Sequence, residues 1–313
     1  VPDLNLNKKI TIIVIGVILL LIASIALYQI VANIVSPYHG PHVTIPEPPK
    51  IIQKVADQPS DDTVIKSSEA VIAANPESVK AEDAYWRLAS TYEKKQDLLK
   101  SREIYQKLVE KFPSSVNVAK AQNALEEINV RLLFSGIPTE DSIVYEVQKG
   151  DNLARIAKKF NTTVELISKS NALKADFLRY GKRLKIAKHK FSIVVDKSQN
   201  ILTLKADGNL FKTYNVSTGK NSCTPVGTFT IITKIVDPPW YPPKGKVIMP
   251  GDPKNVLGAR WLGISKQSYG IHGTIDPQSI GKSVTEGCVR MKNSDVEELF
   301  AIVPEGTEVV IVD

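Results

Sequence analysis

Tyr269-Gly270-Ile271-His272-Gly273-Thr274, followed downstream by Thr285-Glu286-Gly287-Cys288-Val289-Arg290-Met291, is the stretch from which the rest of the chain is read. The first run predicts a short apolar strand that carries His272 and ends in small residues. The second places Cys288 in a glycine-flanked turn, sixteen positions after that histidine. An imidazole on a strand and a thiol on a turn are the two parts of an acyl-transfer nucleophile. A free thiol titrates near ~8.5, so a neighbouring base has to raise its thiolate fraction at neutral pH. A glycine before the nucleophile lets backbone N–H groups approach a developing oxyanion. A histidine on an apolar strand is more often plain core, but Gly270 and Gly273 beside it point to closely approached backbone. The other histidines have no such setting: His39 and His42 fall in a proline-rich segment and His189 at a domain junction.

Cys223 and Cys288 are the two cysteines of the chain. A disulfide between them would silence the thiol, and it stays an open alternative for an exported protein. Neither CxxC nor HxxxH partners accompany His272 and Cys288, so no metal is expected, and no cofactor.

Around this stretch, from 190 to 313, the pattern is rich in strands. Phe191–Val195 and Ile201–Leu204 alternate about a polar turn, and further runs lie at 227–235, 261–264 and 309–312. One helix, 294–302, is expected with Ser294 as its cap. The architecture this predicts is an all-β sandwich or a partly closed barrel with a peripheral helix.

The His272 and Cys288 segments resemble the L,D-transpeptidase catalytic domain, also called YkuD. Supporting positions are Ser217-Thr218-Gly219-Lys220, Thr224-Pro225-Val226-Gly227-Thr228-Phe229, Pro239-Trp240-Tyr241-Pro242-Pro243 and Leu257-Gly258. The resemblance implies that Cys288 is the nucleophile and His272 its base, oriented by the carbonyl of Gly273. It implies an oxyanion held by the amides of Gly287 and Cys288, an Arg290 that braces the loop or meets a substrate carboxylate, and substrate contacts at Trp240 and Tyr241. Glu286 departs from the pattern, since the family usually has histidine there. A carboxylate beside the thiol would raise its pKa, or would point at a cationic part of the substrate. The implied reaction is attack on a peptidoglycan stem tetrapeptide with release of D-alanine. The acyl group then passes to an amine, as a 3→3 cross-link or a protein attachment, or to water as a carboxypeptidase. The alternative is a non-catalytic wall-binding scaffold.

Residues 143–188 carry a second resemblance. Tyr145-x-Val147-x-x-Gly150-Asp151-x-Leu153-x-x-Ile156-Ala157-x-x-Phe160, then Leu166, Asn171, Leu173, Gly181 and Leu184-x-Ile186, resemble a LysM domain of βααβ order. Gly150 would make the tight turn and Asp151 would cap the first helix. Such domains bind N-acetylglucosamine glycans, here between Gly150, Asp151, Asn152 and Leu153 on one side and Asn171 to Tyr180 on the other. The Leu178-Arg179-Tyr180-Gly181 run departs from the usual isoleucine-proline-glycine lead-in.

Towards the amino terminus, residues 63–135 show helical spacing, and Ala81–Pro113 resembles one tetratricopeptide repeat, a helical spacer or a docking surface for a protein partner. Six prolines between 36 and 62 predict a semi-extended spacer. Residues 10–35 carry no charge and follow Lys8 and Lys9, which predicts a transmembrane helix with everything after it exported. A cleaved signal peptide is the rival. The fold class expected is therefore multidomain: membrane helix, helical repeat-like module, LysM domain and mainly-β catalytic domain, at the cell membrane with the catalytic part in periplasm or wall. A formal net charge of +7 suits an anionic surface. No arginine stripe interleaved with aromatics argues for nucleic acid.

Overall fold

Ser60 and Ser78 set where the first two helices begin. Ser60 accepts a hydrogen bond from Thr63 N and Ser78 from Ala81 N, so each satisfies an orphan amide of its first turn. The computed structural model describes residues 59–174, 178–242 and 244–313. Helices α1 (Asp61–Ala74), α2 (Val79–Lys94), α3 (Leu98–Lys111) and α4 (Val118–Leu133) pack in sequence, each on the next. Tyr85, Leu88, Tyr105, Leu108 and Ile128 fill their common core. The proline-rich spacer ends earlier than expected, because Ser60 already caps a helix that starts at Asp61. The apolar stretch 10–35 lies outside the described residues, as does the spacer up to 58. Among the described residues no helix is long and apolar enough to cross a membrane.

Strand β1 (Ser142–Glu146) pairs antiparallel with β2 (Arg183–Ala187), and α5 (Leu153–Lys159) and α6 (Val164–Ser170) lie between them in sequence. This is the βααβ order. Asp151 does not cap α5: that position is Asn152, whose side chain accepts from Arg155 N at 2.8 Å. The Asp151 carboxylate instead accepts from Gln148 N at 2.8 Å and from Tyr145 Oη at 2.7 Å, which closes the turn before the helix.

The remaining strands are β3 (Phe191–Asp196), β4 (Ile201–Ala206), β5 (Asn209–Asn215), β6 (Thr218–Gly219), β7 (Gly227–Val236), β8 (Arg260–Ile264), β9 (Gly270–His272), β10 (Ser283–Thr285), β11 (Val289–Arg290) and β12 (Glu308–Val312). Eight of them make one mixed sheet in the order β11-β9-β8-β7-β12-β3-β4-β5, and β6 pairs parallel with β10 as a separate patch. The ladder is continuous through the long strand β7, which pairs with β12 through its first half and with β8 through its second, with a register shift between Ile231 and Thr233. Alternate burial along β3 and β4 sends Ile193, Val195, Leu202 and Leu204 into the core. Helix α7 (Asn293–Ile302) packs against β8 and β9 through Val296, Leu299 and Phe300. Its N-cap is Lys292, with no side-chain cap bond, so Ser294 is not the cap.

The three modules share polar contacts as well as core. Strand β5 is the sheet's edge, and α4 covers it: buried Glu126 accepts from Thr213 N at 2.9 Å. Lys185 of β2, 5% exposed, donates to Leu132 O at 2.6 Å and Ser135 O at 3.0 Å, capping the carboxyl end of α4. Thr163 Oγ1 donates to Ala301 O, joining α6 to the end of α7.

Candidate active site

Parallel pairing of β9 with β11 brings the two sequence segments together. Val289 registers with Ile271 and Arg290 with His272. Cys288 precedes Val289 directly, at the start of the same ladder, and it lines one cavity with Trp261, the ring on which the His272 imidazole stacks. The imidazole is 3% exposed, stacked on Trp261 at 6.0 Å, and its Nδ1 lies 2.7 Å from Gly273 O. A carbonyl only accepts, so Nδ1 carries the proton and Nε2 keeps its lone pair. Burial pulls the His272 pKa down to about 4, which keeps the ring neutral.

The turn holding Cys288 is tied by Thr285. Its hydroxyl donates to Cys288 O at 2.6 Å and accepts from Gly287 N at 3.2 Å. Gly287 has φ +119°, and a Cβ there would lie 2.7 Å from the Tyr269 ring, so the position admits no side chain. Because the Gly287 amide is spent on Thr285, the pair of oxyanion donors the resemblance implied shrinks to the Cys288 N–H, which has no protein acceptor among the described residues. The thiol donates to Ser268 O at 3.7 Å. Burial raises its pKa, while a backbone hydrogen bond from Gly270 and the nearby Arg290 charge pull the other way. Arg290 Nη1 donates to Ser279 Oγ at 3.0 Å, and its Nε is buried with no partner among the described residues. Both cysteines are free thiols; Cys223 is exposed and its Sγ faces Thr285 O at 3.9 Å.

Glu286 is engaged by Lys220 rather than by the thiol. Its carboxylate pairs with Lys220 Nζ at 2.8 Å and is 83% exposed. Of the two readings the sequence allowed for it, a carboxylate pressed on the thiol does not describe this geometry.

Cys288 opens into a cavity of about 360 Å³, lined by Trp240, Tyr241, Leu257, Trp261 and Ser268 among others. Trp240 is bridged to Ile248 by two backbone hydrogen bonds, and Tyr241 is 71% exposed. Two larger clefts, each about 700 Å³, have neither cysteine nor histidine in their walls. The sequence did not single out Asn293 or Asn255. Asn293 Oδ1 accepts from Ala259 N (3.1 Å) and Thr274 N (3.0 Å), and Asn255 Nδ2 donates to Pro238 O (2.8 Å) at the base of the Trp240 segment. No local motif marks these three contacts, because they span 17 to 34 positions.

In the smaller domain the expected glycan-contact residues divide. Leu153 is buried in the apolar cluster, and Asn171 spends its amide on Ile167 O, Lys185 O and Lys185 N. Those two side chains hold the domain together. Gly150 O accepts from Arg155 Nη1 at 2.7 Å, and Tyr180 is 73% exposed. The stretch 175–177 of the expected second wall lies outside the described residues.

The mixed sheet thus carries a buried, neutral imidazole on β9 and a free thiol on the turn before its partner β11. Residues 190–311 match the family model of the L,D-transpeptidase catalytic domain, 145–187 that of the LysM domain, and 83–115 that of the tetratricopeptide repeat. The chain is 38% identical over 176 residues to the L,D-transpeptidase YkuD of Bacillus subtilis, across 54% of this chain and 98% of that protein. It is 41% identical over 127 residues to YqjB of the same organism, also named an L,D-transpeptidase, across 39% of this chain and 70% of the other. An L,D-transpeptidase structure from Mycobacterium smegmatis aligns with 42% of this chain and 64% of its own at 20% identity and a TM-score of 0.34. The chain belongs to the L,D-transpeptidase family: it is an enzyme of peptidoglycan cross-linking, with domains that imply peptidoglycan binding.

Proposed function

We propose that Cys288 is the nucleophile and His272 its general base. The observation that supports this reading is the pairing of β9 with β11, which brings the His272 and Cys288 segments side by side while Gly273 O orients the ring. The thiol proton passes to Nε2, and sulfur attacks the carbonyl between diaminopimelate and D-alanine in a stem tetrapeptide. The C–S bond forms, the C–N bond breaks, and the leaving amine takes the proton back from His272. The Cys288 N–H supports the oxyanion, and Arg290 braces the Asp276–Ser279 turn behind the loop. The stem lies in the cavity between Trp240 and Tyr241, whose aromatic faces suit the alkyl side chain of diaminopimelate.

The acyl group then passes to a diaminopimelate amine, giving a 3→3 link. The smaller domain raises the effective concentration of enzyme on glycan strands, with the Gly150 turn and Tyr180 in contact with sugar. The reading requires an exported enzyme, with residues 10–35 as its membrane anchor. A scaffold without turnover drew its support from Glu286, and the pairing of that carboxylate with Lys220 removes the motive. The deciding measurement is D-alanine release from tetrapeptide muropeptides by the parent chain and by Cys288→Ala. Equal release from the two would sink the assignment.

A further inference from the structure

The turn after β6 is held in a costly conformation. Asn221 and Ser222 both adopt left-handed backbone, φ 49° and 56°, a conformation disfavoured for a residue with a side chain, Ser222 more than Asn221. Buried Lys197 pins the turn by donating to Ser222 O at 3.2 Å. The turn is also pressed against the Cys288 loop: a Cβ on Gly219 would lie 2.5 Å from Cys223 Sγ and 3.0 Å from Gly287 Cα. What this arrangement presents to solvent is one ion pair, Lys220 Nζ to Glu286 Oε1, with side chains 55% and 83% exposed. Glu286 is two positions from Cys288, and neither member of the pair lines the apolar cavity beside Trp240 and Tyr241.

Donor and acceptor have to reach one sulfur from different directions. We infer that Lys220 and Glu286 recognise the acceptor, Lys220 taking the carboxylate and Glu286 the ammonium of an α-amino-acid centre. A diaminopimelate side chain presents that zwitterion, whereas a protein lysine carries no carboxylate beside its amine and water carries neither charge. This deepens the Cys288 reading and rests on it. An exposed ion pair is held weakly, so it opens readily when each charge is offered a matching partner. The ammonium first gives one proton to solvent. On attack the C–N bond forms, the C–S bond breaks, and the amine's second proton passes through His272 to the leaving sulfur.

The test uses the full chain, a tetrapeptide donor and three acceptors: meso-diaminopimelic acid, its carboxamide, and Nα-acetyl-lysine amide. D-alanine release and the intact mass of the acyl-enzyme follow the donor step, and product mass follows the acceptor step. The parent is expected to show its lowest acceptor KM with free diaminopimelic acid. Lys220→Gln and Glu286→Gln should each raise that KM about threefold to fivefold, the worth of one exposed pair, and Lys220→Gln should erase the preference for a free carboxylate. The charge-swapped double variant Lys220→Glu, Glu286→Lys keeps an ion pair and should not recover the acceptor KM. Recovery by the swap, or a preference that survives Lys220→Gln, overturns the inference. A parent that neither releases D-alanine nor forms an acyl-enzyme overturns the Cys288 reading, and this inference with it.

Discussion

His272 Nδ1 stands 2.7 Å from the carbonyl oxygen of its own chain neighbour, Gly273. The proposed base is thus oriented by backbone alone, without a carboxylate to stabilise its charged form. A ring so placed, buried and held neutral, is suited to taking a proton from a neutral thiol rather than resting as half of an ion pair. Replacing it by alanine should leave the fold in place and lower D-alanine release by about 10²–10⁴-fold, the usual worth of a positioned general base. Cys288→Ala should abolish release altogether, with circular dichroism confirming that both variants are folded.

The pH dependence follows from the same burial. With the imidazole pKa near 4, kcat/KM for the donor step should stay level through neutral pH and fall only as pH approaches 4. An acid limb near 6.5 would show a ring titrating as though exposed. Stability runs with the same sign. The unfolded chain takes up the His272 proton below about 6.5 and the folded chain only near 4, so stability is complete above 6.5 and declines between those values, by up to about 3 kcal/mol. Denaturant melts of the parent and His272→Ala at pH 7 and pH 4.5 measure this term.

Asn293 is expected to position the base without touching substrate. Its Oδ1 accepts from Ala259 N and Thr274 N while its Nδ2 donates to Thr274 O at 2.9 Å. The packing there is close, since a Cβ on Gly273 would lie 2.2 Å from Asn293 Oδ1. Asn293→Ala strands backbone groups at about 1–3 kcal/mol. It should lower Tm and kcat together, whereas Asn293→Asp, which keeps the acceptor, should recover part of both.

Lys185 should matter for the junction between modules rather than for chemistry. Burial holds its pKa down at about 8, and its ammonium satisfies the carbonyls of Leu132 and Ser135. Lys185→Ala leaves those carbonyls unpaired, so thermal unfolding should shift down by the equivalent of about 1–3 kcal/mol with catalytic constants little altered. A Tm equal to that of the parent would show that water replaces the ammonium at no cost.

Tyr241, exposed on the wall of the Cys288 cavity, should act through donor binding. Tyr241→Ala is expected to raise KM for the stem peptide by roughly tenfold, the worth of one aromatic contact, with a smaller effect on kcat. Steady-state kinetics on the tetrapeptide check it.

Much of this site was legible along the chain. Tyr269–Thr274 reads as an apolar strand ending in small residues, and Thr285–Met291 as a turn that carries a thiol, because strand period and glycine placement are local properties. The βααβ domain was legible for the same reason, in its spacing of Tyr145, Val147, Leu153, Ile156 and Ala157. Caps were read less well: Asp151 and Ser294 are good cap residues by type, yet Asn152 and Lys292 occupy those positions. A cap depends on where the first helical turn closes, and neighbouring residues compete for that place.

By itself the sequence determined which residues can do chemistry here, a thiol, an imidazole and the glycines that give them room, since reactivity and backbone freedom belong to the residue type. Only the tertiary structure decided that Glu286 faces Lys220, that Asn293 reaches back to Ala259 and Thr274, and that Lys185 and Glu126 join the modules. Those outcomes come from hydrogen bonds and ion pairs between chain segments far apart in number. Such pairings follow from how the elements pack, and no local period records them.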